Sequence, residues 1–428
     1  MNGIFSPQLE VGFATGRMRL FWLMIKWTVF TVMTLGIYRF WMRTRQRRLY
    51  WSAIRIGDAP LEYTGTGLEK LLGFLIAVVF LAVYLGAFQL ALMFGVFVNP
   101  VLEMLQPLLT VLLILPLIFF ARYRARRYIL SRTRWRGIRF NAEPAAITYM
   151  WHALWHSFVT VLTLGLLYPR MLFKLDQFAT ERTTYGSLPM RLDGTWTQLF
   201  PAWLGLWMTG VVMAMAAVLS SVVLLDIEEA GGDVDSFLGT GAGAAFLVGS
   251  LIVLFLYLRW QVVSFRILTS MKRVGAKVRL ESSARTARYF AIIVLGGLAS
   301  YVAIIVLSVS FAMLVSQIGS FAGPEAGALA ETTARWSDAL SRNTLPNDMS
   351  GLGLLFVALI PVLLFVGVAV GVFYALIEVF VHLPLFGHFA RTIVLHDTAE
   401  LDEVVQSAQD ASREAGGFAD ALDVGAAI

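Results

Sequence analysis

Eight arginines stand in two short runs, Arg43, Arg45, Arg47, Arg48 and Arg122, Arg124, Arg126, Arg127, with Trp41, Tyr50, Trp51, Tyr123 and Tyr128 among or beside them. A guanidinium presents five donors in a planar fork that matches phosphate, so such runs suit an anionic lipid headgroup or another anionic ligand. The other reading is plain topology signalling with aromatic anchoring at the membrane surface. Glu378 precedes His382 by four residues inside an apolar stretch. That spacing puts both on one helix face, where an ionisable pair could relay a proton or a cation. Snorkelling, or pairing with a neighbouring arginine, is the bland alternative. Gly367 and Gly371 form a GxxxG one turn earlier, which permits close helix approach. His152 and His156 also share a helix face, but no thiol or nearby carboxylate completes the three or four ligands that zinc needs. No metal site is therefore expected. No phosphate-binding loop, nucleophile elbow, metalloprotease helix or dinucleotide fingerprint occurs, so no catalytic residue and no cofactor are assigned. With no cysteine, disulfides and thiolate chemistry are excluded.

These residues sit in a chain that is 58% hydrophobic and 14% charged over 428 residues, a balance that belongs to membrane proteins. Apolar runs near the ~20 residues that cross a bilayer recur at 71–98, 102–121, 203–225, 242–258, 289–315 and 352–381. Residues 1–15 lack the charged start and apolar core of a cleaved signal, so these segments are expected in the mature protein. The net charge of +6 does not imply a nucleic-acid partner, because the arginines cluster at the ends of apolar helices.

Two further apolar stretches, 20–41 and 149–173, are interrupted, the first by Lys26 and Arg39 and the second by His152 and His156. A constant shift of 129 residues relates them. It carries Trp22, Thr31, Thr34, Leu35 and Gly36 onto Trp151, Thr160, Thr163, Leu164 and Gly165. It also carries Gly57, Pro60, Gly65 and Thr66 onto Gly186, Pro189, Gly194 and Thr195. Residues 127–140 resemble 265–280, with Gly137 opposite Gly275. An internal duplication is expected. The chain then divides into an N-terminal segment 1–17, a first unit 18–141, a second unit 147–282, a third hairpin 289–382 with an outer loop 316–351, and an acidic tail 383–428. Alternation around the glycines at 57, 137, 186 and 275 reads as four brief β motifs, each marginal alone, which could pair on one side into a small sheet capping the bundle.

If all eight apolar stretches span, basic loops lie on both sides. If 20–41 and 149–173 enter and return, all of the 34 Lys and Arg except Arg335 and Arg342 lie on or beside one face. The outer loops then carry Asp226, Glu228, Glu229, Asp233 and Asp235. The second arrangement satisfies the positive-inside bias. Gly36, Gly165 and Pro169 supply the helix breaks it needs. The fold expected is an all-α polytopic membrane protein with about six transmembrane helices, two interrupted interfacial or re-entrant elements, and small β motifs on the cytoplasmic face. Gly239 to Gly243 read as a helix start. Leu401, Val404, Val405 and Ala408 recur at helical spacing, so the tail reads either as a helix docked on the basic face or as disorder.

The run from Phe30 to Trp41 (FTVMTLGIYRFW), the RRLY at 47–50, the LEYTGT at 61–66 and the stretch 124–140 together resemble the YjgN-like family of bacterial inner-membrane proteins. The resemblance covers most of residues 10–400. It implies a multi-pass protein of the bacterial cytoplasmic membrane with its basic loops inside, and it implies no chemistry, because that family has no known function. The functional expectation is a non-enzymatic scaffold or a binder of anionic membrane lipids. A secondary transporter or channel is the alternative, and a lipid-modifying enzyme the second alternative. A protein partner or a homo-oligomer stays open.

Overall fold

The brief alternating segments form ten short antiparallel strands, β1 Gln8–Phe13, β2 Ile54–Ile56, β3 Ala59–Tyr63, β4 Thr133–Trp135, β5 Ile138–Ala142, β6 Thr183–Tyr185, β7 Leu188–Leu192, β8 Lys272–Val274, β9 Val278–Ser282 and β10 Ile393–His396. They pair in chain order, and β1 closes on β10. The result is a closed barrel with no free edge, which overturns the all-α class expected from the sequence. The physical reason is cooperative: a hairpin of three to five residues is marginal alone, but closure pairs both edges of every strand. Each hairpin is separated from the next by a long helical insertion, so their pairing leaves no local mark in the sequence. The structure, a computed structural model, describes residues 8–229, 241–321 and 352–406, with the single residues 331, 334, 335, 338 and 342. The expected outer loop 316–351 beyond residue 321, Asp233 and Asp235, Gly239, and the tail from 407 including Ala408 lie outside these described residues, apart from those single positions.

Side chains alternate through much of the barrel wall, most clearly in β1, β4 and β6. Leu9, Val11, Phe13, Tyr63, Trp135, Tyr185, Val274, Val278 and Leu395 are buried, and their neighbours along each strand turn outward. The interior is a packed core. Trp135 and Tyr185 lie 5.5 Å apart by ring centroid, Phe140 and Tyr185 4.8 Å, and the Tyr185 hydroxyl donates to the Trp135 carbonyl at 3.0 Å.

The two rims differ. Tight turns lie at one rim, where Ile56 pairs with Ala59, Trp135 with Ile138, Tyr185 with Leu188 and Val274 with Val278. Arg136 and Gly137 both have positive φ (49° and 77°), the requirement of a two-residue type I′ hairpin. At the other rim the chain leaves at Phe13, Tyr63, Ala142, Leu192 and Ser282 and returns beside them at Ile54, Thr133, Thr183, Lys272 and Ile393. All the α-helices among the described residues belong to these five excursions. They are α1 Arg17–Met33, α2 Arg39–Ala53, α3 Gly67–Val98, α4 Val101–Ser131, α5 Ala146–Leu162, α6 Tyr168–Glu181, α7 Phe200–Glu229, α8 Gly241–Ser270, α9 Thr286–Phe321, α10 Leu352–Ile377 and α11 Leu383–Arg391. Thr66 caps α3 by accepting from the Glu69 N–H at 3.3 Å, a Thr-x-x-Glu start.

Among the described residues six helical segments are long and apolar enough to cross a membrane: Gly67–Val98, Val101–Ser131, Phe200–Ser221, Gly243–Ser270, Thr286–Met313 and Phe365–Arg391. Neither α1 nor α5 is among them. Both end in the same reversal. Leu35 and Leu164 each take φ 49°, and Gly36 and Gly165 follow at 91° and 83°. The Gly36 N–H reaches back to the Thr31 carbonyl, and the Gly165 N–H to that of Thr160, each at 2.7 Å. Only glycine holds that left-handed backbone at little cost. The second reversal is also capped from α7, where the Trp203 and Trp207 indoles donate to the carbonyls of Gly165 (3.1 Å) and Leu164 (2.8 Å).

By contact the chain forms two compact units. The first holds Arg43–Phe290 with the barrel strands at both chain ends, and the second holds Gly16–Met42 and Ala291–Phe386. In the first unit Phe119, Tyr123, Tyr149, Leu175 and Phe178 join α4, α5 and α6 in one core. A second core links α6, β7, α7 and α8 through Phe173, Leu192, Leu199, Leu206 and Trp260. After β10 the segment 397–406 crosses the turn rim. Glu400 accepts from the Ala276 and Lys277 N–H groups (3.0 and 2.8 Å), Ser187 N–H donates to Val405, and Arg139 N–H to the Gln406 side chain. Thr398, Leu401 and Val404 are buried beneath it. A side chain at Gly186 would run into Val404 and the Val405 carbonyl, so that turn glycine is required by packing as well as by φ, while Gly275 is favoured by its φ of 66°. This part of the tail makes one 3-10 turn, Thr398–Asp402.

Candidate functional site

The eight arginines of the two runs sit where α2 and α4 run down onto the strands. Arg48 donates to the Gly65 carbonyl at 2.8 Å and Arg127 to the Ala142 carbonyl at 3.2 Å. Both carbonyls lie where a strand has just ended, and a buried or half-buried carbonyl there needs a donor. The Arg47 guanidinium lies over the rings of Trp51 (5.8 Å) and Tyr63 (5.5 Å), and that of Arg124 over Phe120 (5.8 Å). Arg126 approaches Asp176 at 4.0 Å, and Asp176 takes the Lys272 ammonium at 2.9 Å. Arg43 is half-buried, whereas Arg45 and Arg122 are exposed. Four of the eight therefore join helix ends to the barrel rim, and Arg45 and Arg122 turn outward.

A second basic surface escaped the reading of the sequence. On the outer barrel wall Arg134 stands opposite Arg139, and Arg191, Arg273 and Arg279 face one another across three adjacent strands. Like charges in direct register repel unless anions intervene. Asp193 meets Arg273 and Asp397 meets Arg279, each at 2.8 Å. The signal was present as period-two arginine at 132, 134 and 136 and as basic residues at 273, 277 and 279, but it becomes a surface only when the strands close.

Two groups at the turn rim have shifted ionisation. The hydrogen bond from Arg136 holds the Asp58 carboxyl below the usual carboxylate range. Its contribution to stability is present above that range and is lost as pH falls through the lowered value. Full exposure keeps the contribution small. Burial pushes the Tyr185 phenol up to about 12. Its neutral form thus supports the barrel fully below pH 10, and that support is lost as pH rises toward 12.

Glu378 is 2% exposed and begins a π-helical turn, Glu378–His382. His382 Nδ1 lies 2.9 Å from Glu378 Oε2, and its ring is half exposed. The rings of His152 and His156 are 6.3 Å apart by centroid. Among the described residues no three His, Cys, Asp or Glu side chains come together as a metal site would require. Gly36 and Gly165 hold the two reversals, and Pro169 lies buried in the first turn of α6, where its missing N–H is no loss.

Together these features define a helical protein with six membrane-length segments organised on a closed ten-stranded barrel. The chain belongs to the family described as bacterial protein of unknown function (DUF898), which it matches over residues 8–421. The family resemblance drawn from its first 70 residues and the stretch 124–140 is thereby borne out. Comparison with curated proteins and with solved structures found no match.

Proposed function

We propose that this is a non-enzymatic protein of the bacterial inner membrane, in which a cytoplasmic barrel gathers the transmembrane helices and outward basic and aromatic side chains hold anionic lipid headgroups. The observation that carries the reading is the rim pairing: every helical excursion leaves and returns beside itself at one end of the barrel. Each excursion then crosses the bilayer an even number of times. Helix α2 carries Arg39, Arg43, Arg45, Arg47 and Arg48, and α6 carries Arg170, Lys174 and Asp176. Each such charge costs about 2.5–3.5 kcal/mol at the bilayer centre, so neither helix crosses. Their partners α1 and α5 must therefore turn back. At 17 residues each they reach about 25 Å, short of the ~30 Å hydrocarbon core. Six spans result, and the positive-inside bias puts the barrel in the cytoplasm.

The matching reversals at Thr34–Tyr38 and Thr163–Leu167, whose backbone hydrogen bonds correspond under the same 129-residue shift, support an internal duplication.

Single cysteines test the topology cleanly in a cysteine-free chain. An impermeant maleimide added outside is expected to label Asn99→Cys and to leave Leu35→Cys, Leu164→Cys and Ser187→Cys untouched. Outside labelling at Leu35 or Leu164 would sink the six-span arrangement. Lipid binding is tested by native mass spectrometry of protein ejected from its own membranes. The intact chain is expected to retain anionic lipid, and the R45Q/R122Q variant to lose most of it. Equal retention by both would remove these two arginines from the proposal.

A further inference from the structure

Helices α5 and α6 run antiparallel on either side of the Thr163–Leu167 reversal. His152 packs on Phe178 with ring centroids 5.0 Å apart, and further along α5 the Ser157 hydroxyl meets the Met171 sulfur at 3.4 Å. One turn beyond His152 stands His156, while Lys174 and Arg170 stand one and two turns back from Phe178. The pair of helices thus gathers four basic side chains along one seam. The two imidazoles lie 6.3 Å apart by centroid. Burial, and then Arg170, His152 and Lys174, hold the His156 imidazole below its ordinary ionisation range.

No acid answers these groups. Helix α5 contains no Asp or Glu. On α6, Asp176 meets Lys272 and Arg126, and Glu181 accepts from the Gln177 amide at 2.9 Å. Lys174 donates to the neutral Gln177 side chain at 3.1 Å and lies over the Phe173 ring at 5.7 Å. Among the described residues the half-buried Arg170 meets no carboxylate, and the ring of the buried His156 has no hydrogen-bond partner. Like charges and an unpartnered ring in half-buried ground raise the free energy unless an anion joins them. Nor does the hairpin itself call for them. The 129-residue shift puts Leu23, Trp27 and Trp41 at the positions of His152, His156 and Arg170, and only Lys174 has a basic counterpart, Arg45. Trp27 is 5% exposed and His156 8%. The same reversal therefore forms with apolar side chains at three of the four positions, which leaves a ligand as the reason for the charges.

We propose that the α5–α6 hairpin binds a phosphate group between His152, His156, Arg170 and Lys174. A guanidinium fork, an ammonium and imidazole N–H groups together supply the several donors that phosphate oxygens accept, and the fork matches two of those oxygens at once. The phosphate belongs either to a lipid headgroup or to a soluble molecule. This site goes beyond the scaffold and lipid reading and uses neither Arg45 nor Arg122. The R45Q/R122Q comparison therefore decides that reading and leaves this one to its own test.

The chain has only five histidines, so the imidazole signals of isotope-labelled histidine can be followed one by one in nuclear magnetic resonance spectra and assigned by single His→Gln variants. In one arm the full chain in phosphatidylcholine nanodiscs is titrated with sodium phosphate, against sodium chloride at equal ionic strength and fixed pH. In the other, phosphatidylglycerol is added to the nanodiscs in place of phosphate. The His152 and His156 signals are expected to shift in at least one arm, and by more than those of His382, His388 and His396. A shift with free phosphate marks a soluble ligand, and a shift confined to phosphatidylglycerol marks a headgroup. Arg170→Gln and Lys174→Gln are each expected to weaken the response roughly tenfold to a hundredfold, the loss of one charge-assisted hydrogen bond. Should either variant fail to fold, His152→Gln, on an exposed position, must weaken the His156 response instead. No shift in either arm, or an unchanged response in the folded variants, would overturn the proposal.

Discussion

Trp135→Ala is expected to destabilise the protein by about 3–5 kcal/mol, the cost of removing a large aromatic side chain from a packed interior. Trp135 is 2% exposed, its ring meets Tyr185, and it lies on the three-residue strand β4. So short a strand has little besides that side chain to hold it in register. Its loss would also open neighbouring edges to other chains, so aggregation on heating should rise with the loss of stability. Thermal or denaturant unfolding in detergent measures the effect, with Trp151→Ala as the control. Trp151 is 64% exposed on α5, so its removal from detergent-solubilised protein should change stability by about 0.5 kcal/mol or less. Equal stabilities for the two variants would mean that the barrel is not the stabilising core.

The second large effect is expected at Asp176. Its side chain is 15% exposed, with the Lys272 ammonium at 2.9 Å and the Arg126 guanidinium at 4.0 Å. Asp176→Ala leaves both cations facing an apolar rim. The cost should be about 2–3 kcal/mol, below the ~3–5 of a fully buried pair, because about a quarter of Lys272 reaches water. The double variant D176L/K272M removes the charge pair together and should recover most of that loss, since an apolar replacement of a buried pair is often neutral. If the double variant is no more stable than Asp176→Ala, the ion pair is not what Asp176 contributes. The same residue shows how function and fold overlap here. Arg126 belongs to a run whose types suit phosphate, yet it lies against Asp176, on the helix that returns the chain to the barrel.

Much of the candidate site was legible residue by residue. Glu378 and His382 were placed on one face by their spacing, and the structure brings them to 2.9 Å. The breaks at Gly36 and Gly165 followed from Thr-Leu-Gly after an apolar run, and both glycines take positive φ. The arginine runs were visible as charge, but their division was not. Whether Arg48 meets a lipid or the Gly65 carbonyl, 17 residues on, depends on where strand β3 ends. The outward arginine row of β7, β8 and β9 was hidden for the same reason, because it joins Arg191 to Arg273 and Arg279.

Hydrophobic run length marked the segments able to cross a membrane, six of which the described residues contain as helices, and the charge distribution was the ground for expecting the two shorter stretches not to cross. Glycine and β-branched spacing determined where the two shorter apolar stretches turn back. These are local properties, since the bilayer-scale apolar run and the backbone freedom of glycine act within a few turns of chain. The barrel was decided only by tertiary structure. Its strands are three to six residues long, too short to persist alone. Their partners lie beyond helical insertions of 40 to more than 100 residues, as between Phe13 and Ile54 or Ser282 and Ile393. Closure supplies hydrogen bonds to both edges of every strand at once. No single segment carries that stabilisation, so no single segment could announce it.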